Sequence, residues 1–239
     1  MHSIFHKNLI CFVFGMILLL SFACKRDFGD LSYESSIKDI DGNIYPTVKI
    51  GEQVWMASNL RVHRFCNGDS IPYICDTIKW DSINSDTVAK AAYCYYGNDT
   101  TARTLDTLGA LYNWYAASDG RKLCPQGYHL PSKVEWERMV KFLGGKDKAG
   151  ARLKSNDSSF WTKPVLGLND VLGFNALPAG GRDPKGLFDN RKGLYGFFWT
   201  STAYENRDAW IFYVFSNHEA AITKYSRKGF GYSVRCIKD

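Results

Sequence analysis

Pro131-Ser132-Lys133-Val134-Glu135-Trp136-Glu137-Arg138-Met139-Val140-Lys141-Phe142-Leu143-Gly144-Gly145 contains a full set of helix signals. Pro131 stands just before the start. Ser132 offers the short hydroxyl of an N-cap, and Glu135, three residues on, completes a capping box. Trp136, Met139, Val140 and Leu143 recur at three- and four-residue spacing, so one face is apolar and has to be covered. Gly144-Gly145 stops the helix.

Working outward, what covers that face is written downstream. Residues 150–196 are rich in glycine and poor in long apolar runs, and read as a long irregular loop region. Strands are then expected at 197–201, 209–216, 220–225 and 231–237. Between Trp210 and Phe215 both strand faces are apolar, so either both are covered or one presents aromatics to a ligand. Upstream, Asp41-Gly42 is a hairpin-turn dipeptide leading into a strand at 43–50, and Gly51-Glu52 turns it back through 53–57. Asp39-Ile40-Asp41-Gly42 also looks like the start of a calcium loop. It lacks the third acidic position and the Glu at the twelfth, which favours a plain turn. Residues 61–106 are loop-rich with a short strand near 92–96. Leu108, Leu111, Tyr112 and Tyr115 share one face, predicting a second helix over 108–117. Helices early, glycine in the middle and antiparallel strands late make one α+β domain without repeats.

The amino terminus addresses location. Leu9 to Ala23 is an unbroken apolar run after a short, weakly basic start, and Cys24-Lys25-Arg26-Asp27 follows. The run is shorter than the roughly 20 residues of a membrane-spanning helix but has the length of a signal-peptide core. Ala23 before Cys24 fits the bacterial lipoprotein cleavage box, although Ser21 sits where Leu is usual. Residues 1–23 are therefore expected to be a signal peptide and Cys24 the lipidated first residue, with 24–35 a tether and 36–239 the domain. No Asp follows Cys24 directly, which favours the outer membrane or cell surface.

The rest of the composition is globular, and the net charge of +6 is spread along the chain without a basic stripe, so a nucleic-acid partner is not expected. Seven cysteines leave five after the signal and the lipid site are subtracted. Five is odd, so at least one thiol stays free. Cys66 and Cys75 bracket a turn-rich loop and could form a local staple. Cys94, in an apolar stretch, suits a buried thiol. There is no Cys-x-x-Cys and no paired His, so no metal or cofactor is expected.

Taken in order, further segments resemble a known family: Trp55-Met56-Ala57-Ser58-Asn59-Leu60, Gly109-Ala110-Leu111-Tyr112-Asn113-Trp114-Tyr115-Ala116, Leu123-Cys124-Pro125-Gln126-Gly127-Tyr128-His129-Leu130-Pro131, Gly173-Phe174-Asn175-Ala176-Leu177-Pro178-Ala179-Gly180-Gly181-Arg182 and Gly231-Tyr232-Ser233-Val234-Arg235-Cys236. The pattern is similar to the Fibrobacter succinogenes major paralogous domain, common in Bacteroidetes lipoproteins. More distantly it resembles the C-type-lectin-like fold and its formylglycine-generating-enzyme branch, through His129-Leu130-Pro131-Ser132-Lys133-Val134-Glu135-Trp136-Glu137. The resemblance implies two helices flanking twisted antiparallel strands, chain ends that meet, and a disulfide between Cys124 and Cys236.

Three functions compete. The copper oxidases of that branch need two thiols in the C-terminal part, and only Cys236 follows Cys124. Calcium-dependent sugar binding in the lectin-like fold uses Glu-Pro-Asn or Gln-Pro-Asp and Trp-Asn-Asp, none of which occurs. That leaves a metal-free binding or adhesion module for an extracellular glycan or protein. Its expected contact residues are Asp183, Asp189, Asn190, Tyr204, Glu205, Asn206 and Asp208. The alternatives are an enzyme of another type using the 183–208 loops, where paired acids could flank a glycosidic bond, and a structural envelope component.

Overall fold

The computed structural model describes residues 33–84, 88–102 and 104–239. The expected signal peptide, Cys24 and the tether up to residue 32 lie outside them. In chain order the elements are β1 (Tyr33–Lys38), β2 (Ile44–Ile50), β3 (Gln53–Met56), α1 (Thr77–Ile83), β4 (Tyr93–Cys94), β5 (Leu111–Tyr112), α2 (Trp114–Ala117), β6 (Tyr128–His129), α3 (Lys133–Phe142), α4 (Lys146–Ala149), β7 (Tyr195–Ala203), β8 (Asp208–Phe215), β9 (Ala221–Arg227) and β10 (Ile237–Lys238). Helices and sheets are mixed, and every strand ladder is antiparallel.

β1, β2, β3, β10 and β6 form one sheet in that order, which brings the last strand beside the first three. β1 begins at Tyr33, within the segment expected to be tether, because residues 33 and 35 pair with Val48 and Thr47. At the β1–β2 turn the Asp39 carboxylate accepts from the Asp41 and Asn43 N–H groups, the Asn43 amide and the Tyr45 hydroxyl. That is the plain turn the sequence favours.

β7, β8 and β9 form a second sheet, in which β7 and β8 send side chains from both faces into the core while β9 is mostly exposed. Phe198, Phe212 and Val214 pack with Trp136 and Met139 of α3 and with Leu143 at its C-cap, while Phe197, Trp199, Ala209 and Ile211 pack into the other half of the core with Tyr112 and Tyr232. The α3 contact centres on Trp136, stacked on Phe212 at 4.2 Å between ring centres and 14° between planes. Ser132 and Glu135 make the capping box.

Two expected elements differ. Residues 108–117 are not a helix. Gly109 sits at φ +71°, where a side chain would meet Asn59 and the Leu60 carbonyl, and Leu111–Tyr112 pairs with Tyr93–Cys94. Only the turn Trp114–Ala117 is helical, capped by Asn113. The apolar spacing there marks burial on several sides. Residues 231–237 are not one strand either: Gly231 pairs with Arg182, Tyr232 with Tyr112, Ser233 with Phe197 and Trp199, and Val234 and Cys236 accept from Leu60 and Met56. The segment is extended, but its partners change along its length. Conversely α1, in a region expected to be loop, is capped by Asp76 and buries Trp80.

Arg235 ties this segment in. With no exposed surface, its guanidinium donates to the Asn59 side chain and to the carbonyls of Met56, Phe174 and Asn175. Lys154, equally buried, donates to the carbonyls of Leu166, Phe215, Ser216 and His218.

Cys124 and Cys236 are joined. Cys66 and Cys75 are not a staple; both are exposed free thiols. The 65–69 loop closes itself through Phe65 N–H to Asp69 O, and Cys66 Sγ donates instead to the Cys124 carbonyl at 2.9 Å. Cys94 is the expected buried thiol, and burial pushes its pKa up to about 12 while Arg182 pulls it back.

Opening the bridge, which spans 112 residues of sequence, removes a long loop constraint from the unfolded chain. Cys236→Ser is expected to cost about 2–5 kcal/mol, with Cys94→Ser much milder. Thermal unfolding checks the ranking. Non-reducing peptide mapping should recover a linked Cys124–Cys236 peptide, with Cys66 and Cys75 alkylated in the folded protein.

Candidate functional site

The β7–β8 hairpin ends in a tight turn closed by Tyr204 N–H to Asp208 O at 3.0 Å and Asp208 N–H to Glu205 O at 3.3 Å. Glu205 and Asn206 point their carbonyls inward, where Lys228 Nζ donates to both at 2.9 Å. That ammonium lies 4.6 Å from the Trp114 ring centre, and Trp114 donates to the Thr200 carbonyl. The turn is therefore held from beneath by a buried cation on an aromatic face.

This turn raises Tyr204 into an aromatic cluster. Tyr204 stacks on Tyr225 with ring centres 4.3 Å apart and planes 8° apart, and Trp210 stands edge-on to both, at 5.3 and 6.2 Å. Strand register explains the grouping, since Trp210 lies opposite Tyr225. Lys133, at the start of α3, sits 4.8 Å from the Trp210 ring centre and pairs with Glu137. Tyr204 and Tyr225 remain 42% and 45% exposed, so this sheet edge presents ring surface to solvent. Of the expected contact residues, Tyr204, Glu205, Asn206 and Asp208 are brought together here. Trp210, Tyr225 and Lys133 complete the cluster. The first two were among the aromatics attributable to core. Trp210 shares its strand face with the core residues Phe212 and Val214, so alternation along β8 does not single it out; the register that sets it opposite Tyr225 does.

Asp183, Asp189 and Asn190 belong to another loop. Its anchor is Arg182, fully buried between Trp80 and Phe188 and donating to the Gly186, Ile74 and Cys75 carbonyls. Asp183 accepts from the Leu187 N–H. Asp189 accepts from the Gly181 and Arg191 N–H groups, and burial raises its pKa against the pull of those bonds and of Arg191. Both acids close the loop they sit in. Asn190 is exposed beside them.

Sequence reasoning missed a cleft of about 310 Å³ beside the disulfide, lined in part by Leu123, Cys124, Tyr128, His129, Ser201 and Asp239. His129 Nδ1 lies 2.8 Å from Asp239 and Nε2 2.9 Å from Glu135. Both ring nitrogens are engaged by carboxylates, so neither is placed to take a proton from a nucleophile such as Ser201. Burial works against the imidazolium, but the Asp239 and Glu135 contacts outweigh it and the pKa is raised. Glu135, despite burial, is lowered by its Ser132 and His129 bonds. This is a clamp between the capping box and Asp239, the residue that follows β10.

Residues 48–238 match the profile of the Fibrobacter succinogenes major domain. The chain belongs to that family. No curated protein and no solved structure matches it. The Fibrobacter succinogenes major domain of this chain thus carries two separate surface features, an aromatic hairpin edge and a histidine-walled cleft.

Because the folded pKa of His129 is raised, its stabilisation is complete below the unfolded value near 6.5 and lost as pH rises through the folded value. Unfolding free energy should therefore fall across that window, by roughly 0.5 kcal/mol after solvent screening of a partly exposed pair. His129→Gln should flatten the decline, as read by denaturant titration between pH 5.5 and 8.5.

Proposed function

We propose that this protein is a lipid-anchored, non-catalytic binding domain, held at the outer membrane or cell surface through Cys24, with the Tyr204–Trp210–Tyr225 edge as its contact surface for an extracellular glycan or protein. The observation that carries this reading is the exposure of two stacked tyrosines, Tyr204 on a turn that a buried lysine holds and Tyr225 on the neighbouring strand β9. Core aromatics are normally covered; a rigid, amphipathic ring pair left in water is a contact surface. The commitment of Asp183 and Asp189 to their own loop favours binding over acid–base chemistry in the 183–208 loops. A C-type-lectin-like architecture is part of the proposal, supported by first and last strands sharing a sheet and by the Cys124–Cys236 bridge.

The anchor and the surface are tested separately. Mature protein should yield an acylated Cys24 peptide by mass spectrometry, and Cys24→Ser should leave the membrane fraction. On glycan and extracellular-protein arrays, binding should survive a chelator and weaken by about tenfold or more in Tyr204→Ala. Chelator-sensitive binding would point to a calcium lectin instead.

A further inference from the structure

We infer that the ligand of the aromatic edge is an uncharged saccharide chain. This rests on the edge being the contact surface and names its ligand class. Three observations converge on it.

The first is ring chemistry. A pyranose has an apolar C–H face and a hydroxylated rim, and it is matched by a flat ring with polar groups at its edge. Tyr204 and Tyr225 are such rings, and neither hydroxyl has a partner among the described residues. The Trp210 ring stands edge-on beside them. The tyrosine tips are donors and acceptors awaiting hydroxyls rather than groups satisfied within the fold.

The second is charge. Lys133, 4.8 Å from the Trp210 ring centre, is paired with Glu137 one helical turn on. Arg227 lies opposite Asp208 in the strand register, close enough across the ladder for opposite charges to attract. Glu205 and Arg207 alternate at the turn. With bases and acids interleaved, the edge attracts neither polyanions nor polycations, and an uncharged chain loses nothing by lying on it.

The third is rigidity and shape. The exposed rings sit at a sheet edge, and Lys228 and Trp114 fix the turn that carries Tyr204. A preformed narrow platform binds a few sugar units without ordering cost, whereas a protein partner needs a broad desolvated patch around its anchors.

The test titrates purified mature domain with a neutral hexasaccharide panel (α- and β-linked glucose, β-linked mannose and xylose), an anionic hexasaccharide bearing alternating uronates, and, in parallel, protein ligands from the array. Saturation-transfer NMR maps the contact. At least one neutral chain is expected to bind, to transfer from tyrosine protons, and to lose about tenfold or more in affinity in Tyr204→Ala and Tyr225→Ala. Tyr204→Phe should keep part of that affinity, and all three variants should unfold near the wild-type temperature. Stronger binding of the uronate chain at ~0.15 M salt overturns the uncharged assignment. A protein ligand lost in Tyr204→Ala, with no sugar bound, overturns the saccharide class but keeps the contact surface. Saccharide binding unchanged in both alanine variants removes the site as well.

Discussion

Arg235 is the point on which the fold closes. It sits with no exposed surface in the segment whose neighbours pair with four different parts of the chain, and it donates to Asn59, Met56, Phe174 and Asn175. Among the described residues none of its bonds goes to a carboxylate. A chain in which the long middle stretch has little regular structure buries main-chain carbonyls that no ladder satisfies. A guanidinium, with five N–H groups in a planar fork, satisfies several at once and also lies on the Phe174 ring at 4.7 Å. Burial lowers its pKa, yet the carbonyls require the charged form.

The same device recurs. Arg182 gathers three carbonyls around the 182–189 loop, Lys154 four where the 150–170 stretch meets the end of β8, and Lys228 two at the hairpin tip. Each replaces a missing strand or helix as the organiser of a loop. Removing one such head group leaves a buried set of unpaired acceptors, so substitution at these positions is expected to cost more than loss of a surface ion pair. The disulfide acts beside Arg235, since Cys236 follows it directly and carries the constraint to Cys124 before β6.

This also marks what was legible in sequence. α3 was readable because its signals are local: a cap, a capping box and a face repeating within one helix. The β2–β3 hairpin and the three late strands were readable by turn chemistry and apolar runs. Residues 108–117 and 231–237 were not, because their conformation is set by distant partners: Gly109 against Asn59 and Leu60, and Tyr232 against Tyr112. A helical spacing of apolar residues records only that those side chains are buried, and a segment threaded through the core buries residues on every side. At the candidate site the loop composition around Tyr204 was informative, whereas the grouping with Trp210 and Tyr225 depends on register. The loop acids Asp183 and Asp189 looked the same in sequence as Glu205 and Asp208, and only the fold separates acids that close a loop from those left at an edge.

Burying bases among carbonyls has a consequence for the surface. Arg182, Arg235 and Lys154 have no exposed area, so three of the chain's 30 bases lie wholly inside the fold. The remaining charge is interleaved, as at the hairpin, where Lys133 meets Glu137. A sequence that looks basic by count therefore folds into a protein whose internal cations hold loops in place, while its aromatic edge stays nearly neutral. The rigidity of that edge and its lack of net charge have one origin: cations such as Lys228 face inward, towards the main chain. A surface built this way selects ligands by ring contact and hydroxyl matching rather than by long-range attraction.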